Sequence, residues 1–290
     1  MDSSDEENTT ALEVAALEQV SMYEQVCGLM QRLQCHLGWE LNDLFAITVL
    51  YCLVAGLMLF ESSMTKQKLL MTLAMTGMPL VVLGHKIVAY AKTWTDHRTE
   101  LDDRLVSLLA FQMATSSFTF AVPCIAVFVA TVPVYLILDW NLETYVVQAL
   151  FCVGCMVVIL QLGRTLAVYF RGDFETAIFT WSVVILISFL SSSLPVASWK
   201  MPGYIRWMIY TSVNFWSNSG AIMNHFDPAF YDNSKDCNDF ASCLSTDGGF
   251  IVRYVGFAPY SNQFLAMGVL TGLVVSLVVL EAIFLRLCRS

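Results

Sequence analysis

The residues able to do chemistry in this 290-residue sequence are few and scattered. Cys152 and Cys155 form a C-x-x-C, the spacing of a metal or redox pair. They stand inside an apolar run with no histidine or further cysteine nearby, where a thiol behaves as a small hydrophobe. Cys237 and Cys243 lie instead in a polar, acidic loop. If that loop faces an oxidising compartment they would form a disulfide; otherwise they are free or separately paired thiols. His85 and Lys86 interrupt another apolar run. A titratable group there must face protein or water, so His85 either lines a cavity or is hydrogen-bonded in packing, while Lys86 can snorkel. Arg164 falls late in a fourth run, close to Arg171, and is expected to snorkel to the same side. The four histidines, His36, His85, His97 and His225, fall into no metal or Ser-His-Asp pattern, and no phosphate-cradling G-x-x-x-x-G-K-[ST] loop occurs. The chain offers no catalytic site and no metal site.

The elements that carry these residues are membrane helices. The sequence is 57% hydrophobic and 13% charged, with mean hydropathy +0.63, against roughly 25% charged residues in soluble domains. Six runs approach or exceed the roughly 20 apolar residues that cross a bilayer: about 44–60, 69–91, 105–138, 145–170, 177–196 and 264–285. They are continuous rather than alternating, so they read as helices and not barrel strands. The expected fold is all-α and polytopic, with a polar outer loop over 197–263 between the fifth and sixth spans. Residues 105–138 are too many for one simple crossing and contain Pro123 and Pro133. They form either one long helix or two short spans, and the second choice would invert everything downstream.

Ahead of the spans, residues 1–11 are acidic and expected to be disordered. Residues 12–40 form an amphipathic helix with Tyr23, Val26, Met30, Leu33 and Leu37 on one face. It would lie in the interface, dock on a cytosolic partner, or pack on its own domain. The net charge of −9 gathers at the N-terminus and in the loop after Asp227, which argues against nucleic acid as a partner. With the long outer loop discounted, the basic residues flanking the spans place both termini in the cytosol. The chain is then an integral, multi-pass protein of the plasma membrane or an internal membrane.

Several motifs occur in a recognisable order: Gln161-Leu162-Gly163, then Arg171-Gly172-Asp173-Phe174-Glu175-Thr176-Ala177, then Pro202-Gly203-Tyr204-Ile205-Arg206-Trp207, then Asn224-His225-Phe226. Together they resemble the membrane domain of G-subfamily (White/Brown-complex type) ABC transporters. The likeness covers most of Tyr23 to Leu287. It implies a transmembrane domain over 41–290, a connecting helix before it, and short re-entrant helices in the outer loop. It also implies a Cys237–Cys243 disulfide. Further, it implies a substrate pathway lined by His85, Val88, Phe189, Leu190, Ser193 and Leu194, and a coupling elbow near Arg98 and Glu100. Ser193 stands where that family commonly has glycine, and Arg104-Leu105 stand near an expected Gly-Tyr.

By that resemblance the chain is the transmembrane part of an ATP-driven exporter of lipidic or amphipathic molecules. ATP and magnesium would sit on a nucleotide-binding domain supplied as a separate chain or as a preceding part of a longer one. A second transmembrane domain, identical or different, would complete the pathway within membrane lipid. The alternative is a non-transporting homologue that acts as a scaffold or regulatory partner of complete half-transporters.

Overall fold

A computed structural model describes residues 21–32, 50, 54, 107–137, 141–171, 173–193, 198–226, 252, 256–257 and 262–289. Among them are six helices, α1 (residues 22–32), α2 (Leu108–Ile137), α3 (Leu142–Tyr169), α4 (Phe174–Leu190), α5 (Val213–Phe226) and α6 (Gln263–Arg289), with no strand. Two 3-10 turns, Ser198–Lys200 and Arg206–Thr211, lie between α4 and α5. The second expected span and all of the first but Leu50 and Val54, together with His85, Val88, Arg98, Glu100, Leu194, Cys237 and Cys243, fall outside the described residues.

The question over 105–138 is settled by α2, one helix of 30 residues that continues through Pro123 and Pro133. At 1.5 Å per residue it is about 45 Å long, more than the roughly 30 Å thickness of a hydrocarbon layer. The helices α3 and α6 are each long and apolar enough to cross a membrane. Their surroundings differ, since 67% of the apolar window of α3 is buried against 22% for α6. The bundle is therefore built around α3, which packs against α2, α4, α5 and α6. Outward faces of α2, α4 and α6 carry exposed Leu109, Leu136, Phe179, Leu186, Phe264 and Val275, which suits contact with lipid.

Local signals explain where helices begin. Ser21 and Glu24 form a reciprocal capping box on α1: the Glu24 carboxylate accepts from Ser21 N–H at 3.0 Å, and Ser21 Oγ accepts from Glu24 N–H at 3.2 Å. Val26, Leu29 and Met30 then pack against Phe111, Val168 and Leu285. Tyr23, expected on that apolar face, is 76% exposed, because the face that packs is centred on Leu29. Asp173 caps α4 by accepting from the Thr176 hydroxyl at 2.7 Å and from its N–H at 3.4 Å. These bonds, the hydroxyl's first, hold the Asp173 carboxyl below its usual pKa. The cap's contribution is thus present above the ordinary carboxylate pKa and is lost as pH falls through the lowered one.

The close approach of α5 to α3 depends on Gly220. A Cβ there would overlap the ring of Phe151, which is 1% exposed and fixed in the core. Ser217 Oγ donates to the Phe151 carbonyl at 3.1 Å one turn away, and Asn224 Nδ2 donates to the Thr144 carbonyl at 2.8 Å. Gly220→Ala is expected to destabilise the purified protein by roughly 1–3 kcal/mol through overpacking, read as a lower melting temperature in detergent. Adding Phe151→Leu should recover much of the loss.

Candidate functional site

Among the buried polar side chains of the bundle, two hydrogen-bonded clusters stand out. The first joins α2, α3 and α6 at one end. Arg164, 3% exposed, meets Glu281, fully buried, with Nη2 and Oε1 2.8 Å apart. Gln161, one turn before Arg164, donates from Nε2 to the other carboxylate oxygen at 2.6 Å. The guanidinium also donates to Thr115 Oγ1 and Thr119 Oγ1, each at 2.7 Å, and to Ser116 Oγ at 3.4 Å and Gln161 Oε1 at 3.3 Å.

The threonines suit this task because their own protons are used locally. Thr115 Oγ1 donates to the Phe111 carbonyl and Thr119 Oγ1 to the Thr115 carbonyl, at 2.8 and 3.0 Å. Their lone pairs remain to face the arginine, which can only donate. Nearby, Gln112 Nε2 donates to the Val278 carbonyl at 3.0 Å and Thr165 Oγ1 to the Leu277 carbonyl at 3.3 Å. Arg164 therefore does not snorkel, as its nearness to Arg171 suggested. It turns inward because Glu281 supplies a matched charge that would itself be untenable alone. Each was visible as the single charge in a long apolar run, and the signal missed was that two such charges of opposite sign need each other.

The second cluster lies at the break between α4 and α5. The helix α4 stops at Leu190, short of the expected 196, where two serines turn their hydroxyls onto its last carbonyls and a third leaves the helical backbone conformation. Ser191 Oγ donates to Ile187 O at 2.7 Å and Ser192 Oγ to Phe189 O at 2.6 Å. Ser193 has φ of 65°, in the left-handed region that glycine occupies without strain. Ser212 Oγ donates to the Ser188 carbonyl at 2.6 Å and accepts from Phe215 N–H at 3.1 Å, which caps α5. Asn214 reaches Ser188 Oγ at 3.5 Å and accepts from the Cys155 thiol at 3.6 Å. Since Cys155 lies midway along α3, the start of α5 sits deep in the bundle, and α5 runs from there toward Thr144 at the far end.

Of the expected pathway residues, Phe189 is half-buried, Leu190 is 53% exposed and Ser193 is buried. Phe189 and Leu190 are successive positions of α4 and so do not share one face. Cys152 and Cys155 are buried and not joined in a disulfide, and no group of three metal-ligating side chains occurs among the described residues. Neither cluster supplies a nucleophile or a paired acid and base in a cleft. What they supply is fixed helix positions.

The model of the ABC-2 type transporter family, a membrane domain, matches residues 39–226. The chain belongs to that family. The matched stretch includes all of α2, α3, α4 and α5 and the arginine of the ion pair, while α6 with Glu281 lies beyond it. No curated protein matches the chain significantly.

Glu281→Ala leaves the Arg164 guanidinium buried without its counter-charge. A loss of about 3–5 kcal/mol is expected, seen as low yield and early melting in detergent. Arg164→Lys is expected to rescue little, because an ammonium cannot span the acceptors on three helices that the planar guanidinium reaches.

Proposed function

We propose that this ABC-2 membrane domain is the transmembrane part of an ATP-driven exporter of the G-subfamily type, moving lipidic or amphipathic molecules. The observation that carries the reading is the family match over residues 39–226. The ordered motifs around Gln161, Arg171, Pro202 and Asn224 favour the G subfamily within it. The sequence holds no G-x-x-x-x-G-K-[ST] loop, so nucleotide and magnesium would be held by a nucleotide-binding partner domain and no chemical step takes place on these residues. A second transmembrane domain, from a like or unlike chain, would close the other half of the pathway.

In this reading the chain's own residues convert a push at one end into movement at the other. The Arg164–Glu281 cluster fastens α2, α3 and α6 near the ends where α3 leads into α4. A displacement delivered there moves the three as one body, the hinge-and-rigid-body mode of switching. The break after Leu190, where α4 gives way to α5, is the natural place for that motion to open or close a path. Phe189, Leu190 and Ser193 lie at this break, with His85, Val88 and Leu194 as further pathway residues by resemblance.

The test uses inside-out vesicles from cells expressing the full chain, compared with vesicles lacking it. ATP-dependent accumulation of a fluorescent short-chain phospholipid should rise several-fold, and a vanadate-sensitive ATPase should co-purify with the chain. Equal accumulation in both vesicle types, with no co-purifying ATPase, would contradict the proposal and favour a scaffold role.

A further inference from the structure

The segment between α4 and α5 carries a feature that shares only Leu190 with the pathway residues of the transport reading. Ile187 and Leu190 of α4, with Met201, Pro202, Ile205 and Met208, line an apolar groove of about 340 Å³. That lies within the roughly 300–1,000 Å³ of small-ligand sites. Beside it, Tyr204, Trp207 and Tyr210 are 79%, 61% and 41% exposed. They recur every third residue, and in a 3-10 helix with three residues per turn that spacing places Trp207 and Tyr210 on one face. Lys200 and Arg206 are exposed in the same segment, which has no acidic residue from Ser198 to Thr211. Arg206 Nη2 donates to the carbonyl of Met201, a groove residue, at 3.1 Å, so the guanidinium sits at the groove's rim.

Register fixes the depth of this segment. Trp181 Nε1 donates to the Ile159 carbonyl at 3.3 Å, and α4 runs antiparallel to α3, so Leu190 comes level with about Leu150. The polar turn at Arg171 and Asp173 marks one edge of the hydrocarbon. About 20 helical residues cover its thickness, and counted back along α3 from that turn they end near Leu150. The groove and its aromatic, cationic rim therefore stand at the opposite edge, where Trp and Tyr side chains favour the headgroup layer.

We propose that this groove is a phospholipid site, with one acyl chain in the cavity and the lipid phosphate on Lys200 and Arg206. Complementary charge at the rim, an apolar slot below it and aromatic side chains at headgroup level specify such a lipid over a free anion or a simple hydrocarbon. The inference does not depend on transport.

Native mass spectrometry of the full chain, purified in detergent and given phosphatidylglycerol or a diacylglycerol with the same acyl chains, tests it. One phosphatidylglycerol should be retained, at least ten-fold more strongly than the diacylglycerol. Ile187→Trp and Met208→Trp, which fill the slot from α4 and from the 3-10 turn, should each abolish retention, and Lys200→Ala with Arg206→Ala should weaken it about ten-fold. Lys200→Ala alone, at an exposed position away from the core, should give a smaller loss and guards against misfolding in the others. Retention indifferent to all these changes, or equal for the diacylglycerol, would overturn the proposal. So would variants that keep the lipid but lose self-association, since the groove would then seat a second copy of the chain.

Discussion

An arginine and a glutamate enclosed in an apolar bundle impose the condition that organises this protein. Either charge alone would carry a desolvation cost of several kcal/mol, so Arg164 of α3 and Glu281 of α6 are tolerable only while they touch. Their contact fixes the rotation of both helices and their relative height. The remaining guanidinium hydrogens then demand acceptors, and Thr115, Thr119 and Ser116 bring in α2. Because every threonine proton is already committed to its own helix, the set accepts the arginine without rearrangement. Apolar packing holds helices together in a membrane without defining which rotation or height is correct, and a polar pair at one level supplies that definition.

With one end fixed, the rest of the bundle can be irregular. The far end of α2 is held to α3 by Tyr145, whose hydroxyl donates to the Phe128 carbonyl at 2.6 Å. Between these two levels α4 ends early, and α5 begins midway along α3, leaving backbone that must be satisfied inside the bundle. Serine and asparagine side chains around Ser188, Ser212 and Asn214 do that locally. Such a break is permitted in a membrane protein only where neighbouring groups pair the freed backbone. The same break makes room for the apolar groove, so a site for lipid follows from the way the helix is interrupted.

Much of the helical plan was legible from apolar run length. The runs read at 145–170 and 264–285 correspond to Leu142–Tyr169 and Gln263–Arg289, because a helix in lipid must continue for as long as its sequence stays apolar. The fifth run was read too long, to 196, since Ser191, Ser192 and Ser193 are mild on any hydropathy scale. The hydroxyl bonds of Ser191 and Ser192 back onto the helix, and the left-handed Ser193, end it. The positive φ of Ser193 is one that glycine adopts without strain, in keeping with the glycine that the resemblance implied there. The pairing was missed because Arg164 and Glu281 are 117 residues apart, and reading its helix alone sends Arg164 toward the nearest water. The tight α3–α5 contact escaped for a similar reason: nothing local to Gly220 announces that Phe151 will lie against it.

The central claim, that Arg164 and Glu281 are sustained by each other, is tested most directly by a double-mutant cycle. Arg164→Met, Glu281→Leu and the double variant would be purified in the same detergent and their unfolding free energies compared with the parent chain. Mutual dependence requires each single variant to be strongly destabilised and the double variant to recover most of the loss, giving a coupling energy of about 2–4 kcal/mol. Additive losses in the double variant would mean that the two charges are stabilised separately, and the bundle would need a different organising interaction.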